Sequence, residues 1–395
     1  MPTYLTPGIY IEEVSTGARP IEAVGTSTAG FIGVAPHAGA RLQEVVPVNN
    51  WSQFVREYVK EDSSSTPLAK AVAGFFDNGG RRCFVVNVGQ SGNLVGDGRK
   101  RQGLDLFEEV DEIAIVAAPG MSDPASYDAL LTHCEKLKDR IAILDPPEDV
   151  DDTRRLLDVG TAEAASADKP SRRGVKPRTS DGGYGAFYFP WITVRDPLSP
   201  SKLVNAPPSG HAAGVLARTD ASRGVHKAPA NEVIRGAVNV TYRVTREEQG
   251  ELNQNGVNCI RFFPRDGIRL WGARTLAEGA SEWRYLNVRR LFNMIEESIA
   301  QSTRWVVFEP NDATLWKSIR RDVGAFLTRL WRSGALMGAT PEEAFFVQCD
   351  EETNPPDVID AGQVITVIGI APVKPAEFIV FRIGQHASGA ETTEA

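Results

Sequence analysis

Four short apolar runs, separated by segments with helical spacing, restrict this chain more than any other feature. They are Ala29–Ala35, Cys83–Val88, Ile113–Ala117 and Ile141–Leu144. Each is apolar without alternation, so each strand needs cover on both faces, the pattern of a parallel sheet packed between helices. The intervening segments supply those helices. Trp51–Val59 reads as a short one. Pro67 opens another through Phe76, with Ser65 or Thr66 as its cap and Gly79 beyond its end. Pro124–Leu137 carries the third. Phe187–Val194 is a further strand candidate, although Pro190 within it disfavours a central place. The alternation predicts an α/β unit with a mainly parallel sheet covered by helices.

Downstream the pattern changes. Asp196–Asn231 is rich in Pro and Gly and reads as a connection to a second, α+β unit. There, Asn258–Phe263 and Ile268–Gly272 read as strands joined by the turn Pro264-Arg265-Asp266-Gly267. Val288, Leu291, Phe292, Ile295 and Ile299 recur at helical spacing, which predicts an amphipathic helix over Trp283–Ser302. Val306–Phe308 reads as a strand and Asp312–Ser333 as a helix stopped by Gly334. Phe345–Cys349, Val364–Ile370 and Phe378–Ile383 read as an antiparallel sheet. The expected organisation is an arm over 1–22, an α/β domain over 23–195, the connection over 196–231, an α+β domain over 232–375 and a terminal strand and tail over 376–395. The small, polar end from Ala387 should be disordered. The first arm holds one β-prone stretch, Ile9-Tyr10-Ile11-Glu12-Glu13-Val14. One strand is not stable alone, so it must pair with a sheet in its own subunit or in another.

A search for chemistry finds little. Phosphate-loop, HExxH, GxSxG and calcium-loop patterns are absent, and Gly96-Asp97-Gly98 and Gly183-Tyr184-Gly185 each lack the third glycine of GxGxxG. The five histidines, His37, His133, His211, His226 and His386, never fall at ligand spacing. Asp145–Asp152 is strongly acidic and follows a strand end, where it is either a solvated loop or a cation site. Lys169, Arg172, Arg173, Lys176 and Arg178 fall in one polar loop, either a solvated surface or a seat for an acidic partner. Cys83, Cys134, Cys259 and Cys349 form no CxxC pair and suit buried thiols in a reduced compartment. A net charge of −8 argues against general attraction to nucleic acid or anionic membrane. The N-terminus lacks a secretory pattern, and no stretch approaches the roughly 18 apolar residues of a membrane helix. These readings lead to no catalytic residue, metal ligand or cofactor.

Three stretches together resemble the contractile tail-sheath family of myophages, R-type pyocins, type VI secretion and extracellular injection systems. They are PGIYIEEV with IEAVGTSTAGFIGVAPHAG, then Tyr188-Phe189-Pro190-Trp191 with PPSGHAAGVLARTD and VHKAPAN, and then RFFPRDGIRLWGARTL with FEPND. The resemblance implies a non-enzymatic sheath protomer, a helical polymer of stacked rings around an inner tube that also meets baseplate and cap proteins. It implies no nucleic-acid partner and no direct membrane insertion. It further implies that strands are donated between subunits, here by Ile9, Tyr10, Ile11, Glu12, Glu13 and Val14 and by Phe378, Ile379, Val380, Phe381, Arg382 and Ile383. The α+β domain should face the tube and the α/β domain lie outside. Lys317, Arg320 and Arg321, at i, i+3 and i+4 on one helix, become candidates for gripping an acidic tube. Assembly is expected in the cytoplasm, in a phage tail or tail-like particle, with extracellular release left open. The modest length points to a compact sheath of the pyocin or extracellular-injection type. An α/β enzyme with a cation at Asp145–Asp152, and a module binding an acidic partner, remain as alternatives.

Overall fold

The structure, a computed structural model, describes residues 20–90, 92–96, 100–161 and 174–380. The apolar runs form the expected strands: β1 (Ala29–Gly33), β3 (Cys83–Asn87), β4 (Ile115–Ala117) and β5 (Ile141–Leu144), with β2 (Val45–Val48) before β3. The helices between them are α1 (Trp51–Tyr58), α2 (Pro67–Asp77) and α3 (Pro124–Leu137). Their ends follow the local chemistry. The Thr66 side chain accepts from Ala69 N, Asp123 accepts from Ser126 N, and a proline holds the first helical position in both α2 and α3. Consecutive strand residues enter opposite cores. Phe31, Val85, Ile115 and Ile143 face the side of α2, whereas Ile32, Val86, Val116 and Ala142 face the side of α3.

The expected strand over Phe187–Val194 divides at Pro190 into β6 (Gly185–Phe189) and β7 (Ile192–Arg195). The Pro/Gly-rich connection is corrected more substantially. It contains β8 (Leu203–Ala206) and the sixteen-residue helix α4 (Pro208–Arg223). This helix is buried on nearly every side, so the sequence shows no polar stripe to mark it. Its small residues permit the burial. A Cβ at Gly210 would stand 2.2 Å from the Ala71 carbonyl oxygen, and one at Gly214 would stand 2.5 Å from that of Phe75. The glycines that suggested a linker are the points where α4 lies against α2.

The remaining elements include β9 (Glu232–Val233), β10 (Ala237–Val240), α5 (Arg246–Gln254), β11 (Val257–Phe263), β12 (Gly267–Leu270), α6 (Leu286–Ser302), α7 (Ala313–Arg332), β13 (Phe345–Gln348) and β14 (Val367–Ile370), with short helical turns at Pro341–Ala344 and Pro356–Asp360. Among the described residues, nine strands form one sheet in the order β2-β3-β1-β4-β5-β6-β11-β12-β9. Neighbours from β3 to β11 run parallel, and the outer pairs β2–β3, β11–β12 and β12–β9 run antiparallel. The β11–β12 hairpin expected at the start of the second unit thus extends the first unit's sheet. β7, β8 and β10 form a separate three-stranded sheet.

A third core lies downstream, where α6 and α7 pack Leu291, Ile295, Ile319, Val323 and Phe326 together with Ile21. Val306–Phe308 is not a strand. Arg304–Val306 forms a 3₁₀ turn, Phe308 takes φ 70° in the left-handed region, and its side chain is exposed. The anticipated three-stranded C-terminal sheet has two strands among the described residues, β13 and β14. Phe378, Ile379 and Val380 form no strand there.

Candidate functional site

The β13–β14 pair is antiparallel, with Phe345 opposite Ile370 and Gln348 opposite Val367. Phe345, Val347, Ile368 and Ile370 turn towards the third core, while Phe346 and Val367 stay exposed. A two-stranded ribbon is marginal without such support. Each strand has one hydrogen-bonded neighbour among the described residues, so each keeps one edge with no described strand beside it, although Phe345 N donates to Pro341 O.

From β14 the chain is fastened step by step. Met337 N donates to Ala371 O (2.8 Å), Val373 N to Ala335 O (3.2 Å), and Asn287 Nδ2 to Val373 O (3.1 Å). The Glu377 carboxylate then accepts from Arg274 Nε and Nη2 (2.9 and 2.7 Å), from Asn253 Nδ2 and from the Tyr285 hydroxyl (3.2 Å). Burial alone would raise its pKa. The hydrogen bonds from Arg274 and Asn253, with the Arg274 charge, outweigh burial and hold it below the usual carboxylate range. Immediately beyond, Phe378, Ile379 and Val380 are 75%, 73% and 78% exposed. Of the expected donor strands, Phe381, Arg382, Ile383 and all of Ile9–Val14 lie outside the described residues, as does the tail from Ala387.

The N-terminal segment is fastened too. Ile21 is buried beside α7, and Arg329 donates to its carbonyl. Val24 N donates to Ser298 Oγ (3.0 Å) and Thr26 Oγ1 to Asp220 Oδ2 (2.6 Å). Arg290 Nη1 donates to Asp220 Oδ1 (2.9 Å) and Nη2 to Thr26 O (3.0 Å), in an ion pair whose side chains are 3% and 6% exposed. One buried pair therefore joins the N-terminal segment, the end of α4 and the face of α6.

Lys317, Arg320 and Arg321 lie exposed on α7, whose buried side carries Trp316, Ile319, Val323 and Phe326. Arg321 also donates to Asp322 (2.9 Å). The Asp312 side chain caps this helix by accepting from Thr314 N and Leu315 N.

The other candidates turn inward. The Asp145 carboxylate accepts from Gly120 N (3.1 Å), Ser209 N (2.8 Å) and Ser209 Oγ (2.6 Å), so it ties β5 to the start of α4. Asp152 caps a 3₁₀ turn, and Asp151 pairs with Arg155. Among the described residues no group of three or more His, Cys, Asp or Glu side chains is placed to hold a metal ion. Lys176 is buried. Arg178 donates to Asp128 and Glu135 on α3, and Lys169, Arg172 and Arg173 lie outside the described residues. His211 is buried against Gly74, and all four cysteines are buried and free. No described helix is long and apolar enough to cross a membrane.

Sequence reasoning missed Glu377 with its donors and the Arg290–Asp220 pair. The one signal for Glu377 was a lone acid directly before an apolar run.

Comparison with known proteins agrees with this geometry. The family described as phage tail sheath protein central domain matches residues 100–276, and the phage tail sheath C-terminal domain matches residues 278–385. A solved chain of the anti-feeding prophage baseplate is 31% identical, with 98% of this chain and 100% of that one covered and a TM-score of 0.73. A chain of the contracted sheath complex of PVC, an extracellular contractile injection system, is 28% identical, with 98% and 99% covered and a TM-score of 0.78. The tail sheath protein of Vibrio phage KVP40 is 30% identical over 191 residues, which are 48% of this chain but 28% of that protein. The chain thus spans less than a third of that curated relative's length.

Proposed function

The chain belongs to the phage tail sheath family, and from that premise we propose that it is the structural sheath subunit of a contractile injection system. It polymerises around an inner tube and contracts to drive the tube through a target envelope. The observation that carries this reading is the β13–β14 sheet, which among the described residues has two strands and so a free edge on each side, followed along the chain by an exposed apolar run that begins after Glu377. An open edge is a template for added strands, which gain main-chain hydrogen bonds and side-chain burial together. The strands at Ile9–Val14 and Phe378–Ile383 are the donors. Strands given to another copy make a heterologous contact, and such a contact grows into a helical filament when it does not close.

Contraction then needs no bond hydrolysis. Subunits tethered by their arms repack from a metastable extended arrangement into a second one that buries more surface. The work is structural and not enzymatic. The α7 face with Lys317, Arg320 and Arg321 grips an acidic inner tube through screened contacts that are individually weak and able to release. Baseplate and cap proteins complete the ends. Assembly takes place in the cytoplasm, and the product is a tail or tail-like particle. The near-complete overlap with the anti-feeding prophage and PVC chains supports a compact sheath of the extracellular-injection type.

Electron microscopy of the purified chain mixed with its tube protein tests this. Hollow, striated polymers that shorten and widen when triggered are expected. A chain that stays monomeric at all concentrations with tube present would overturn the proposal.

A further inference from the structure

We propose that Glu377 anchors the C-terminal arm, as a positioning residue that fixes where the chain leaves its own body and presents Phe378-Ile379-Val380 to a second copy. This rests on the strand-exchange reading above and adds to it a defined root for one arm.

Three features support the assignment. Glu377 draws its donors from three separate places: Asn253 in α5, Arg274 after β12 and Tyr285 at the head of α6. The Arg274 contact is two-pronged, the geometry that gives a carboxylate pair both strength and direction. Arg274 is itself held rigidly. Its backbone N donates to Asn258 Oδ1 (2.7 Å), its carbonyl accepts from Asn258 Nδ2 (2.8 Å), and its Nη1 donates to Asn253 O (3.0 Å). Because Asn258 belongs to β11, the arm is rooted in the large sheet and not only in the small one it leaves.

The boundary is also abrupt. Up to Glu377 the chain is tied at successive points, and from the next residue three consecutive apolar side chains are exposed. Such a run in water marks a surface awaiting a partner. The partner of fitting chemistry is an open sheet edge, and among the described residues β13 and β14 of a second copy each supply one. A fixed root restricts the volume the donor strand searches, so part of the ordering cost is met before copies meet. Tension on a donated strand then runs into a partly buried ion pair and from there into β11.

The test compares the full chain with Glu377→Ala, Glu377→Gln and a double variant, Phe378→Asp with Ile379→Asp. Sedimentation gives the concentration needed for assembly, hydrogen exchange follows residues 371–380 in the free protomer, and denaturation reports the fold. Glu377→Ala should raise the assembly concentration about tenfold and speed exchange of 371–380 to a similar degree, with Glu377→Gln between it and the parent. Unchanged assembly and exchange in Glu377→Ala would overturn the anchor while leaving strand exchange intact. A Glu377→Ala protomer that is markedly less stable but exchanges normally at 371–380 would make Glu377 a packing contact and also overturn it. Normal assembly of the double variant would instead remove strand donation by this arm.

Discussion

In the large sheet every strand from β3 to β12 has a neighbour on both sides, and its side chains alternate between two buried cores. Its two ends are blunted. β9 is two residues long, and β2 carries Pro47, whose carbonyl is occupied by Gln53 Nε2. In the small sheet β13 and β14 have one neighbour each among the described residues, and Phe346 and Val367 remain exposed. The same chain therefore protects its edges in one region and leaves them open in the other. Under the strand-exchange proposal, the difference separates what holds the protomer together from what it would offer to other copies.

That contrast can be broken at its closed side first. Phe75 is fully buried, edge-on to Phe31 at 5.4 Å, so Phe75→Ala should cost about 3–5 kcal/mol in chemical denaturation. A loss under about 1 kcal/mol would show that the large sheet is not the tight core described. Next in size is Asp220→Ala, which leaves Arg290 buried without its carboxylate. A loss of about 3 kcal/mol is expected, with faster hydrogen exchange over 20–28. Slow exchange there would mean that Ile21 and the Val24–Ser298 contact hold the segment without the ion pair.

Acid sharpens the comparison further. Burial lowers the His211 pKa from 6.5 to about 4. The unfolded chain takes up this proton as pH falls through 6.5 and the folded chain only near 4, so His211 weakens the fold progressively across that window, by up to about 3 kcal/mol. Asp145 has the opposite sign. Burial raises its pKa to about 6, so the folded chain is protonated first and the fold gains between about 6 and 3.8. His211→Gln should therefore lose less stability than the parent, or gain some, as pH falls from 6.5 to 4. Equal slopes in urea titrations at several pH values would refute this. The smallest effect belongs to α7. Reversing Lys317, Arg320 and Arg321 should weaken tube co-assembly a few-fold, more at low salt, and leave self-association intact. Unchanged tube binding would take those residues out of the account.

The legible and illegible parts of the fold divide along similar lines. Strands such as Ile141–Leu144 and helices such as Pro124–Leu137 could be read because local composition decides them. Helix α4 could not, because it is set by contact with α2, and its glycines and prolines carry the signature of a loop. Val306–Phe308 misleads in the other direction, since a β-prone triplet is held in a turn between α6 and α7. At the site, the apolar run at Phe378 and the basic residues of α7 were visible as patterns. The Glu377 contacts were not, because Arg274 lies 103 positions away and no local spacing links the two. Lys176 and Arg178 looked like a solvated patch, although one is buried and the other is paired to α3.

The most direct test of the central claim is negative-stain electron microscopy of the chain with its tube protein, intact and without residues 1–20. Ile21 and the contacts that hold it remain in the shortened chain, so its protomer should fold and melt as the parent does. Hollow helical tubes are expected from the intact chain and folded, unassembled protomers from the shortened one. Tubes of normal length from the shortened chain would contradict the strand-exchange proposal.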